Sequence, residues 1–232
     1  MRDDLRRIAH AGLTFNAPLS DERAGTLVQA LAIAPGRHVL DLGCGWGELL
    51  LRIVEAHAAT TGTGVDTDRT SLDRGRRLAS RRGLHERVDF VEAECARFDD
   101  HGDVVVCVGA SQAWRGADAA LAALRGRVAG GGLVLFGDGF WAEAPGAVAS
   151  RAIGQLPGFD GLLRGAQDAG FEIEQADRSS QEEWDAFESA WRSGLERSSD
   201  PDALALAAER KAEYESGYRG ALGFAWLVLA PA

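Results

Sequence analysis

Positive charge is what this chain lacks most. Its 25 lysines and arginines face 35 aspartates and glutamates, a formal net charge of −10. A protein held to nucleic acid or an anionic membrane by counterion release carries the opposite sign, so neither partner is expected. The three cysteines, Cys44, Cys95 and Cys107, are too few and too scattered for a disulfide framework or a zinc site. No metal is expected, and a reduced, cytoplasmic setting is. The opening "MRDDLRRIAH" is charged with no apolar stretch behind it, which predicts no signal peptide. No run reaches 18 apolar residues, so no membrane span is expected. Lysine is nearly absent too: Lys211 is the only one, amid abundant arginine and alanine, a bias of GC-rich genomes.

What is present alternates. The chain of 232 residues is long enough for one α/β domain with a sizeable core. Short apolar runs at 38–43, 62–66, 88–93, 103–109 and 132–138 read as strands buried on both faces, with a sixth strand at 171–176 and a last apolar one at 222–230. Segments with helical spacing lie between them. Leu49, Leu50, Ile53 and Val54 share one face, as do Leu121, Leu124 and Val128. This alternation predicts a parallel sheet with helices on both sides. Residues 1–35 are read as an N-terminal helical lid, with Ser20 as an N-cap, and 36–232 as the main domain. A charged helical insertion, about 178–220, leaves the end of a parallel strand where ligands bind, so it is expected to cap the site. Its aromatic stripes, Trp184, Phe187 and Trp191, then Tyr214 and Tyr218, either dock the helices or line a pocket. Residues 139–150 are expected to form a loop exposing Phe140 and Trp141.

The most informative stretch is "VLDLGCGWGELL", residues 39–50. A glycine-rich turn between strand and helix suggests a nucleotide. A dinucleotide fingerprint, G-x-G-x-x-G, needs a third glycine where this chain has Glu48. An acid at a helix start also disfavours a neighbouring pyrophosphate. The spacing here is G-x-G-x-G, with Asp41 two residues upstream.

That turn resembles motif I of the class I S-adenosylmethionine-dependent methyltransferases, and the resemblance continues downstream. "TGTGVD" ends in Asp66, where the family keeps an acid for the ribose hydroxyls. "DFVEAECARF" puts Glu94 where the family reads adenine, although aspartate is commoner there. The strands "FDDHGDVVVCVGAS" and "RVAGGGLVLFGDGFW" follow in the family's order. The resemblance covers 36–138 and the final strand. It implies a Rossmann-like, doubly wound, mostly parallel seven-stranded sheet whose last strand is antiparallel. It implies S-adenosyl-L-methionine as cofactor and S-adenosyl-L-homocysteine as product. The cofactor residues it implies are Asp41, Gly43, Cys44, Gly45, Trp46, Gly47, Asp66, Thr67, Glu94, Cys95 and Gly109.

The acceptor is less marked. The chain has "CVGAS" in place of an Asn/Asp-Pro-Pro-aromatic segment, no Pro-Cys pair and no clear metal-ligand set, which leaves a small organic molecule. Whether O, N, S or C is methylated stays open, as does monomer or homodimer. Phe15, Asn16, Trp114 and Trp141 are candidate acceptor contacts. His10, Asp138 and Glu143 are candidate bases, while His101 reads as surface. Looser likeness near the N-terminus and "GDGFW" is to bacterial small-molecule methyltransferases. A non-catalytic S-adenosylmethionine-binding module, an NAD-type oxidoreductase and a lipid-modifying relative remain alternatives.

Overall fold

The computed structural model describes residues 2–232. Seven strands form one sheet: β1 (His38–Leu42), β2 (Thr61–Asp66), β3 (Val88–Glu92), β4 (Gly102–Val108), β5 (Val128–Trp141), β6 (Phe171–Arg178) and β7 (Leu222–Pro231). Their order is β3-β2-β1-β4-β5-β7-β6, with β7 antiparallel and the rest parallel. The helices are α1 (Asp3–His10), α2 (Asp21–Ala30), α3 (Glu48–Ala56), α4 (Arg69–Arg81), α5 (Ala117–Arg125), α6 (Ala147–Ile153), α7 (Phe159–Asp168), α8 (Gln181–Glu196) and α9 (Pro201–Glu213). Among the described residues no helix is long and apolar enough to cross a membrane.

The chain divides into two compact units. The sheet unit comprises Asp21–Asp138, Asp160–Asp177 and Ala225–Ala232. Its central strands are mostly apolar because both faces are covered: Val39, Leu40, Val105, Val106, Leu135 and Phe136 have no exposed surface. The register sets the chemistry at the strand ends. Asp41 lies across from Gly64 on β2 and Val106 on β4. Asp66, the last residue of β2, pairs with Glu92. In α3 the predicted stripe of Leu49, Leu50, Ile53 and Val54 is buried, joined by Leu51 and Glu48. Asp68 starts α4 by accepting hydrogen bonds from Thr70 N at 3.0 Å and Ser71 Oγ at 2.8 Å.

The helical unit comprises Met1–Ser20, Gly139–Phe159 and Arg178–Phe224. By compactness α2 goes with the sheet unit, and its Ala24, Leu27 and Val28 are buried. A capping box begins α8, with Ser180 Oγ accepting from Glu183 N and the Glu183 carboxylate accepting from Ser180 N. The same carboxylate accepts from Ser20 N and Oγ, at 3.0 and 2.7 Å. Most of the aromatic stripe residues pack inside this unit, while Phe187 is half-buried. Trp184, Trp191, Tyr214 and Tyr218 are all buried, and the Tyr214 and Tyr218 rings meet edge-on at 5.3 Å.

One expectation is corrected. Phe140 and Trp141 are buried, at 1% and 8% exposure, and no loop begins at 139. β5 runs on through Trp141, whose amide donates to Pro157 O at 2.9 Å. The Trp141 indole N–H donates to Gly154 O at 3.3 Å. Phe140 lies over Gly223, where a Cβ would come within 2.2 Å of its ring, and against Phe159 at 5.2 Å. Gly223 opposite makes room for the Phe140 ring, which was expected outside.

Candidate functional site

The turn after β1 is built from backbone constraints. Gly43, Gly45 and Gly47 all have positive φ, at 83°, 55° and 67°. They differ in what surrounds them. A Cβ on Gly43 would lie 2.2 Å from the Cβ of Ala110, so this glycine lets the β1 and β4 ends approach each other. A Cβ on Gly45 would meet nothing within 4 Å, so this one leaves open space above the turn.

The amides of the turn are largely taken up by the protein. Gly43 N and Cys44 N both donate to Val65 O, at 2.8 and 3.0 Å. Gly47 N donates to Cys44 O at 2.8 Å. Gly45 N donates to Asp66 Oδ2 at 2.8 Å, while Asp68 N donates to Asp66 Oδ1 at 2.9 Å. Each Asp66 oxygen thus holds one amide and keeps further acceptor capacity.

Asp41 sits beneath this turn at 4% exposure. Burial, then the neighbouring Asp66 charge, pushes its carboxyl up to about 8. The three cysteines surround these acids. Burial, then Asp41 and Asp66, raises the Cys44 thiol well above its usual range. Burial, then the same acids in reverse order, pushes Cys95 up to about 11. Burial and then Asp41 raise Cys107. All three remain thiols at neutral pH, and none is an activated nucleophile. Cys95 donates weakly to Val65 O at 3.8 Å, which brings it to the carbonyl that holds the turn.

The remaining predicted residues of the sheet unit are distributed along the same strand ends. Glu94 is exposed and pairs with Arg97 at 3.2 Å, and Thr67 is exposed. Trp46 is buried under the Arg74 guanidinium, 4.1 Å from its ring centroid. Gly109 follows β4 with φ 62°, and a Cβ there would meet nothing within 4 Å. Its amide donates to Gly137 O at 2.8 Å, which puts buried Asp138 one residue beyond that contact. Trp114 is half-buried beside Arg127, and its ring N–H is buried without a hydrogen-bond partner among the described residues.

In the helical unit, His10 ends α1 half-buried, Phe15 is buried, and Asn16 and Glu143 are exposed. Trp141 is packed as described. His101 is exposed, as read from the sequence.

Two buried acids were not anticipated as ion-pair centres. Glu48 accepts from Arg52 Nε at 2.8 Å and from Arg82 Nη2 at 2.7 and 2.9 Å. The Arg52 half was legible as an i, i+4 pair. Arg82 lies a whole strand away. Glu188, with no exposed surface, accepts from Arg210 at 2.8 and 2.9 Å and from the Tyr218 hydroxyl at 3.0 Å.

Residues 39–132 match the family model described as "Methyltransferase domain". The uncharacterized protein YjhP of Escherichia coli (strain K12) is 33% identical over 211 residues, covering 84% of this chain and 82% of YjhP. The X-ray structure of YjhP superposes with a TM-score of 0.88 over 98% of this chain and 99% of that one, at 26% identity. A SAM-dependent methyltransferase from Geobacter sulfurreducens, crystallised with S-adenosyl-L-homocysteine, gives a TM-score of 0.90 at 26% identity, covering 100% of this chain and 99% of that chain. The corresponding enzyme from Thiobacillus denitrificans, with the same molecule bound, gives 0.89 at 26% identity and the same coverage. The chain belongs to the class I S-adenosylmethionine-dependent methyltransferases.

Proposed function

We propose that this enzyme transfers a methyl group from S-adenosylmethionine to a small organic acceptor by in-line displacement, with the donor held at the β1, β2 and β3 ends of the sheet unit. The observation that carries the reading is the donor set around Asp66. Its two oxygens hold Gly45 N and Asp68 N and still have a lone pair each for a cis-diol. The turn amides are engaged elsewhere and the side chains beneath are acids, a setting suited to a cationic ligand without phosphate. Space for the ligand backbone is left where Gly45 and Gly109 carry no Cβ.

In this reading Asp66 accepts from both ribose hydroxyls, and Glu94 meets the adenine amino group. Gly43, Cys44, Gly45, Trp46 and Gly47 form the wall nearest the methionine part, with Thr67, Cys95 and Gly109 at its sides. When bound, S-adenosylmethionine supplies a methyl carbon on a positively charged sulfur, a leaving group that needs no further activation. The chain's contribution is to position the reactants and keep water out. Of the candidate bases, Asp138 is the one in the sheet unit, buried next to the β4 end. Within the sheet unit, the acceptor contact assigned is half-buried Trp114, whose ring N–H has no hydrogen-bond partner among the described residues. Trp141 serves packing in this assignment.

The net charge of −10 favours an acceptor that is not a polyanion. The test is transfer of labelled methyl across a metabolite panel, alongside calorimetry with S-adenosylhomocysteine and NADH. Tight NADH binding with no S-adenosylhomocysteine binding would overturn the proposal.

A further inference from the structure

The site holds a buried acid that no protein group satisfies. Asp41 lies on β1, between β2 and β4, at 4% exposure. Among the described residues nothing hydrogen-bonds its carboxyl and no basic side chain pairs with it. The amides that could have held it are directed elsewhere: Gly43 N and Cys44 N to Val65 O, Gly45 N to Asp66, Gly47 N to Cys44 O. The titratable groups facing it are Asp66 at the end of β2, Cys44 in the turn, Cys95 after β3 and Cys107 on β4. Asp138 on β5 faces Cys107 in turn. Every one of these is acidic or neutral. A buried carboxyl in such surroundings keeps its proton unless a cation arrives.

We propose that Asp41 is the residue that couples recognition of the ligand's positive charge to release of a proton. This rests on the donor assignment above. In the free protein Asp41 is a neutral acid. When a cationic ligand occupies the turn, the O–H bond of Asp41 breaks, the proton passes to solvent, and the carboxylate faces the positive charge. No electron transfer and no second reactant are involved. The direction of the Asp41 shift given above agrees with the geometry.

The linkage has a definite sign. A ligand whose binding expels one proton binds roughly tenfold more tightly for each unit rise in pH while the acid is still protonated, and the gain ends once it ionises unaided. The gain ends near pH 8, where the buried carboxyl ionises unaided. The α-amino group of the ligand, in the ~7.7–8.0 range for such amines, loses its own proton near the same pH. The informative quantity is therefore the difference between the wild type and Asp41→Asn, which removes the ionisable group and nearly keeps the shape.

The experiment is calorimetry with S-adenosylmethionine and S-adenosylhomocysteine, at pH 6.5 and 7.5, in two buffers of different ionisation enthalpy. The wild type is expected to release close to one proton per ligand at pH 6.5 and to gain roughly tenfold in affinity by pH 7.5. Asp41→Asn is expected to release none and to show a flat profile. Wild-type binding without proton release, or release that persists in Asp41→Asn, overturns the inference and leaves the donor assignment standing. Failure of the wild type to bind either molecule overturns both.

A ligand-free measurement guards against a misfolded variant. Because the folded state holds the Asp41 proton more tightly than the unfolded chain does, wild-type stability is greatest below the unfolded value of ~3.9 and falls as pH rises toward about 8. Asp41→Asn lacks that decline, so its melting temperature should gain on the wild type between pH 5 and 8. A constant gap across that range also overturns the inference.

Discussion

Replacing Asp66 with alanine tests the central assignment, and the structure fixes both its size and its control. The Asp66 carboxylate has about four acceptor sites. Two are filled by Gly45 N and Asp68 N, at 2.8 and 2.9 Å, and two remain for a ribose diol. Hydrogen bonds to a charged group contribute about 1.5–3 kcal/mol each, so loss of a two-pronged diol contact should cost about 3–6 kcal/mol of binding. That is roughly 10²- to 10⁴-fold in Kd. The side effect is a loosened turn, because Gly45 N loses its acceptor. Asp68→Ala provides the control. Asp68 lies two residues away and caps α4 through Thr70 N and Ser71 Oγ, so its loss should cost about 0.5–2 kcal/mol of stability. It should change donor affinity by less than about threefold, roughly 0.6 kcal/mol. Calorimetry with S-adenosylhomocysteine, paired with thermal melts, measures both. Equal losses of affinity in the two variants would mean that turn rigidity, not the diol, is being measured, and unchanged affinity in Asp66→Ala would refute the ribose role outright.

Other perturbations sort the remaining residues. Gly43→Ala places a Cβ 2.2 Å from that of Ala110 at φ 83°, so strain and overpacking should together cost about 2–5 kcal/mol, read by chemical denaturation. Gly109→Ala meets no protein atom within 4 Å and should cost only about 1–2 kcal/mol for its φ of 62°, yet weaken donor binding at least tenfold; wild-type affinity would show that this space is not ligand space. Glu188→Ala leaves the Tyr218 hydroxyl without its acceptor and the mostly buried Arg192 with only Glu196 at 3.8 Å, and should cost about 3–5 kcal/mol. Glu48→Ala should cost less, about 2 kcal/mol, because Arg52 and Arg82 are 28% and 25% exposed and can turn to water; a larger loss at Glu48 than at Glu188 in urea melts would refute that ranking.

Much of the sheet unit was legible in the sequence because its signals are local. Continuous apolar runs mark strands buried on both faces, and Asp66 and Asp68 stand at a strand end and a helix start. The strands came out within a residue or two, except β5. β5 begins at Val128 and extends through Trp141, where "GGG" and the polar neighbours of Phe140 hide the strand period. What conceals Phe140 is Gly223, 83 residues away, and no local pattern reports a missing Cβ at that distance. The helical unit was the harder half for the same reason. Its acid Glu188 reads as one more charge on a charged helix until Arg210 and Tyr218, on later segments, close around it.

The glycine turn carries a sharper lesson, since the sequence argument excluded a pyrophosphate on a ground that the fold weakens. Glu48 was expected to repel phosphate at the start of α3. Its charge is instead matched by two guanidiniums, Arg52 and Arg82, and directed away into a buried pair. Repulsion from Glu48 is thus small. The stronger ground lies in the backbone. A phosphate cradle needs several convergent amides free to donate. Here Gly43, Cys44, Gly45 and Gly47 give theirs to Val65 O, Asp66 and Cys44 O, and the side chains nearest them are the carboxylate of Asp66 and the neutral acid of Asp41. A turn of the same composition can thus face an anion or a cation, according to whether its N–H groups point outward or are held by the next strand. Asp66 decides the matter twice, by holding Gly45 N and by adding negative charge beside Asp41. Donor choice is therefore a property of the β2 end as much as of the glycines. Transplanting the turn without Asp66 into another sheet should carry its shape over less faithfully than transplanting both.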